Sequence, residues 1–72
     1  MPRAIQITGD MIRLGQLLKL AGVAGDGGEA KAMIAGGEVT VNGEPELRRG
    51  RQLADGDVVG AGGEELRVVG GG

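Results

Sequence analysis

A fold built from this chain has no aromatic ring to fill its core and no thiol or imidazole to staple it, because Phe, Tyr, Trp, Cys and His are all absent from its 72 residues. A chain this short buries only about 60% of the surface that its unfolded form exposes, so the core is thin. Without disulfides or a zinc site to help, stability has to come from packed Leu, Ile, Val, Met and Ala. One small domain is the limit.

The same absences restrict function. With no aromatic platform, bases cannot be read by stacking, which argues against single-strand readers of that kind. The commonest general base and the commonest thiol nucleophile are missing. Serine is absent too, and the hydroxyl side chains are Thr8 and Thr40 alone. A non-catalytic binding module is the expectation, with no metal and no cofactor. No run approaches the roughly 18 apolar residues of a membrane span. The start "MPRAIQITGD" lacks the apolar core of about 7–15 residues that marks a signal peptide. A cytoplasmic protein with no membrane partner is expected.

Along the chain, "AIQIT" (residues 4–8) alternates apolar and polar with β-branched residues, as a short strand does. Thr8-Gly9-Asp10 reads as a turn. From Leu14 the period changes: Leu14, Leu17, Leu18 and Ala21 fall on one helical face, with Gln16 and Lys19 pointing away and Gly22 placed to end the helix. Asp26 followed by Glu29 is an acid-led capping box for a second helix, although Gly27 and Gly28 weaken its first turn by about 1 kcal/mol each relative to Ala. Ala30, Met33 and Ile34 form its buried stripe, Lys31 lies beside that stripe, and Gly36-Gly37 stops it. "EVTV" puts Val39 and Val41 on one face of a strand. Asn42-Gly43 is a hairpin turn in which both residues take φ > 0. "EPEL" returns at a sheet edge, because Pro45 cannot donate to a ladder. The arginines at 48–51 then form a loop, Asp55-Gly56 turns the chain into "DVV", residues 60–63 turn it again, and Leu66 to Val69 makes a last strand. The expected fold is α+β, two short helices packed on a small, mainly antiparallel sheet, over residues 1–69 as one domain. Residues 70–72 are expected to be a flexible glycine tail.

Charge is spread unevenly for a net of −2. Arg3, Arg13 and Lys19 outweigh Asp10 in the first third. Five acids between Asp26 and Glu46 face Lys31 alone, and Asp55, Asp57, Glu64 and Glu65 outnumber Arg67 near the end. Between these acidic stretches, "LRRGRQL" (Leu47 to Leu53) places Arg48, Arg49 and Arg51 within four positions. Like charges that close repel, so the cluster points to an anionic partner more than to a solvated loop. "GDGG" before the second helix is not a nucleotide loop: it lacks the Gly-Lys-Ser/Thr ending, and Asp26 repels phosphate.

Taken in order, "RLGQLLKLAGV", "GGEAKAMIAGGEVTVNGE" and "RRGRQLADGDVV" resemble the RNA-binding domain named after small-subunit ribosomal protein S-four, the αL motif. The nearest branch is similar to the small stand-alone bacterial proteins of the YbcJ-like type, and the likeness covers about residues 5–69. The resemblance implies binding of structured RNA, ribosomal RNA above all and not DNA, by a surface made from the two helices and the adjoining loop. On this resemblance Arg13 stands where the first helix often opens with "RL", Lys31 at the basic position of the second helix, and Arg48, Arg49 and Arg51 in the basic loop. Lys19 joins them from the outer face of the first helix. Gly15 stands where many relatives have an acid and Gly27 where many have an arginine, which throws weight onto the loop. The alternative is a ubiquitin-like sulfur carrier, suggested by "VNGE", "LADGDVV" and the closing glycines, in which Gly72 is the reactive residue.

Overall fold

The structure is a computed structural model, and it describes residues 1–71. In chain order it has β1 (Arg3–Gln6), β2 (Met11–Arg13), α1 (Leu14–Leu20), α2 (Gly27–Ala35), β3 (Thr40–Val41), β4 (Glu44–Pro45), β5 (Gln52–Ala54), β6 (Val58–Ala61) and β7 (Glu64–Val69). The main sheet runs β1-β7-β6-β3-β4, and β2 pairs with β5 in a separate ribbon. Every pairing is antiparallel except that of β1 with β7, which is parallel from Arg3↔Leu66 to Gln6↔Val69. The fold is therefore the α+β arrangement expected, with one parallel pair joining the two ends of the chain.

Both helices stop in the same way. After α1, Val23 N–H donates to Leu18 C=O (3.0 Å) and Gly22 N–H to Lys19 C=O (3.1 Å), with Gly22 at φ +76. After α2, Glu38 N–H donates to Met33 C=O (3.2 Å) and Gly37 N–H to Ile34 C=O (3.1 Å), with Gly37 at φ +77. These are Schellman closures, which satisfy the last carbonyls and turn the chain sharply. Their starts differ. Asp26 caps α2 by accepting from Glu29 N–H at 2.8 Å, whereas Arg13 at the head of α1 makes no side-chain cap.

The core is wholly aliphatic. Leu14, Leu17 and Leu18 of α1 and Ala30 and Ile34 of α2 pack with Val39, Leu53, Val59, Leu66 and Val68 beneath them, and all are essentially inaccessible to solvent. The Asn42-Gly43 turn is formed as expected, with φ of 52 and 86, and β4 lies at the sheet edge with Pro45 in it. Asn42 also ties the hairpin to β6, since its Oδ1 accepts from Val58 N–H at 2.9 Å.

Two strands were not evident in the residue pattern. β5 lies between the loop read at 48–51 and the Asp55-Gly56 turn, where no element was expected, and β2 occupies the residues just before α1; each is three residues long, too short to show a period. In addition β6 continues through Gly60 and Ala61, so the turn is confined to Gly62 and Gly63. Gly60 lies in the strand because β3 packs so close that a Cβ there would stand 2.6 Å from Thr40 Oγ1. Near the end of the chain, Gly70 N–H donates to Asp55 Oδ1 (3.0 Å) and Gly71 N–H to Gly9 C=O (3.2 Å); Gly72, part of the expected tail, lies outside the described residues. Among the described residues no helix is long and apolar enough to cross a membrane.

Candidate nucleic-acid interface

Pairing of β2 with β5 sets Arg13 opposite Gln52, which lays the arginine loop against the start of α1. The first N–H groups of a helix have no partner within it. Here the loop supplies acceptors for two of them: Leu14 N–H donates to Arg51 C=O (2.9 Å) and Gly15 N–H to Arg49 C=O (3.1 Å). Backbone thus does for α1 what a capping side chain does for α2, and the loop is anchored to the helix as a result. Arg51 N–H also donates to Arg48 C=O (3.2 Å), closing a tight turn around Gly50.

The three arginines do not act alike. Glu46 turns inward and is only 7% exposed. Its Oε2 accepts from Arg48 Nε and from the Arg48 backbone N–H, both at 3.0 Å, while its Oε1 accepts from Arg48 Nη2 at 3.2 Å and Arg51 Nη1 at 2.7 Å. These bonds hold the carboxyl far below its usual range, at about 2, with the Arg48 side chain the largest cause and Arg51 the next. In return the carboxylate raises the pKa of Arg48. Arg48 and Arg51 therefore face Glu46, and beyond it they border a shallow depression with Gly50 and Gln52.

Arg49 faces the other way. It lines a cleft of about 300 Å³ together with Arg13, Lys19, Gln16 and Gly15 of the α1 side and Gly27 of α2. Gly15 is buried on the cleft wall, and a Cβ on it would stand 2.8 Å from Arg49 Cγ. The stem of Arg49 thus lies where any larger residue would project. Among the described residues, none of Arg13, Lys19 and Arg49 makes an ion pair.

Of the six cations singled out in the sequence, then, three meet at one cleft, two are drawn to Glu46, and Lys31 lies exposed on α2 outside the cleft lining. Lys31 follows Gly27 by four residues, so it lies one helical turn farther along the same side of α2. The remaining arginines are elsewhere: Arg3 pairs with Glu64 at 3.8 Å and donates to Ala21 C=O, and Arg67 sits on β7 opposite Ala4 and Val58. The residue that sequence reasoning passed over is Glu46. Its signal was present in "EPELRRGR", an acid spaced two and five residues ahead of arginines, but only burial distinguishes it from the exposed Glu44 two residues before it.

Comparison with known proteins bears on what such a cleft is for. Residues 5–69 match the family model described as "S4 domain". The chain is also similar to a protein of Bacillus subtilis (strain 168) named "Probable ribosome maturation protein RlbA", 54% identical over 59 residues, which is 82% of this chain and 83% of that protein.

Proposed function

The chain belongs to the S4 domain family, and from that premise we propose that it is a small, non-catalytic, cytoplasmic protein that binds structured RNA, in the first place ribosomal RNA, through the cleft between α1, α2 and the arginine loop. The observation that carries this reading is the convergence of Arg13, Lys19 and Arg49, none of them in an ion pair among the described residues, on one concave site of an acidic chain. A phosphate of a folded RNA meets arginine through a planar fork that can make two hydrogen bonds, a geometry lysine cannot match. A domain without aromatic rings recognises backbone, shape and 2′-hydroxyls in preference to splayed bases. Acids on the remaining surface oppose indiscriminate attachment to polyanions.

The choice of ribosomal RNA rests on the Bacillus relative, whose name assigns that protein to ribosome maturation. The non-catalytic reading is supported by a sequence that holds no His, Cys or Ser to act as base or nucleophile. Glu46 is held ionised, opposite to what a general acid at neutral pH requires. The sulfur-carrier alternative rested on the strand half of the chain and on Gly72; membership of the S4 family, which takes in the helical half as well, favours RNA binding over it. The test is a gel shift of the full chain with transcribed ribosomal RNA fragments, competed by duplex DNA of the same length. Binding that DNA competes away as well as RNA would overturn the reading, as would no shift at all.

A further inference from the structure

We propose that Glu46 is a positioning residue for RNA: by drawing Arg48 and Arg51 to one side of the loop, it presents Arg49 alone to the cleft on the other. This rests on the reading of the cleft as an RNA site.

A carboxylate taken out of water is costly unless charged partners and hydrogen bonds replace the solvent. Glu46 has four such bonds from the two arginines, and its own N–H donates to Val39 C=O at 3.0 Å, which joins it to the residue just before β3. The loop is thus held on both sides of Arg49. Arg48 and Arg51 are fixed through their side chains to Glu46, while the carbonyls of Arg49 and Arg51 are fixed to the first two N–H groups of α1. With Arg48 and Arg51 tied to Glu46 and the Arg49 carbonyl held by Gly15 N–H, the backbone sets the Arg49 side chain out on the cleft side. Ordering a loop costs conformational entropy, and a loop already ordered in the free protein spares that cost at binding.

A different role is conceivable for the same contacts, in which Glu46 does no more than neutralise two cations that would otherwise hold phosphate. The two roles predict opposite signs. If Glu46 only neutralises, Glu46→Gln removes a negative charge, making the interface more positive by one, and RNA binds more tightly. If Glu46 positions Arg49, the same change weakens binding despite the more positive interface.

The experiment measures affinity of the full chain for a transcribed ribosomal RNA hairpin at several salt concentrations, with melting followed by circular dichroism. Glu46→Gln is compared with Glu46→Asp, which keeps the charge but is too short to reach both guanidinium groups. Each is made alone and together with Arg49→Ala. Both Glu46 variants are expected to bind about tenfold more weakly, the scale of one charge-assisted hydrogen bond. Each should reduce the salt slope by about one. In the Arg49→Ala background neither should weaken binding further, because the side chain that Glu46 positions is gone. A general loss of structure would lower affinity equally in both backgrounds and so overturns the proposal. Unchanged or tighter binding by Glu46→Gln also overturns it, and should that variant not fold, full affinity of Glu46→Asp does the same. If Arg49→Ala alone binds like the wild type, the cleft is not the RNA site and both readings fall together. If Arg49→Ala is weak while the Glu46 variants bind fully, only the positioning role is lost.

Discussion

Arg49 lies across the first turn of α1 with its Cγ 2.8 Å from the point that a Cβ on Gly15 would occupy, and its carbonyl accepts the Gly15 N–H at 3.1 Å. The two residues form one wall of the cleft, so each limits what the other can be. Gly15→Ala should displace the Arg49 side chain while improving helix propensity by about 1 kcal/mol. The expected outcome is weaker RNA binding with a melting temperature equal to or above that of the wild type. Calorimetry and a gel shift on the same preparation check it; a variant that melts higher and binds fully would show that the Arg49 stem has room to move.

Cations that hold phosphates release counterions on binding, so the logarithm of affinity falls linearly with the logarithm of salt concentration. With Arg13, Lys19 and Arg49 in the cleft and Lys31 beyond it, about three or four contacts give a slope of roughly −3 to −4, borrowing the coefficient for duplex DNA. Arg49→Ala should bring that slope about one unit nearer zero and leave the thermal midpoint almost unchanged, because an exposed charge with no ion pair among the described residues contributes little to stability. Arg67→Ala, on β7, should change neither quantity. Equal damage from the two substitutions would place the interface on a different face.

Acid should loosen the loop through Glu46. Its pKa in the folded protein is depressed to about 2, so its contribution to stability is fully present above the ordinary carboxylate value, about 4.3. That contribution is lost as pH falls from there through the folded value. Melting temperature measured from pH 7 downward should therefore fall more steeply for the wild type than for Glu46→Gln below about pH 4.5. Parallel curves would mean that the carboxylate is not held by its arginines in solution.

Gly27 opens α2 at the mouth of the cleft, and a Cβ there would meet nothing within 4 Å. Gly27→Arg should accordingly be tolerated, firm the first turn of α2 by up to about 1 kcal/mol, and add a cation within reach of the bound backbone. Tighter RNA binding and a salt slope steeper by about one are expected. Unchanged affinity in the folded variant would show that RNA does not pass along α2.

Much of this molecule follows from local pattern. The stripe of Leu14, Leu17 and Leu18, the cap at Asp26 and the stops at Gly22 and Gly37 mark both helices, because helical period and terminal geometry are properties of a few neighbouring residues. Asn42-Gly43 marks the hairpin for the same reason. The clustering of Arg48, Arg49 and Arg51 could likewise be read directly from the chain, and with it the attraction to an anion.

What each arginine faces was decided only in three dimensions. β2 and β5 are too short to announce themselves, yet their pairing is what lays the loop on α1. The parallel pairing of β1 with β7 joins segments more than sixty residues apart, a relation that no window on the sequence contains. Glu44 and Glu46 are the same residue type two positions apart, one in solvent and the other nearly buried. That difference arises because the chain leaves the sheet edge after Pro45 and folds Glu46 toward Arg48 and Arg51, leaving Arg49 to the cleft. Charge and period are written residue by residue; the partner of a charge depends on which distant backbone the core brings beside it.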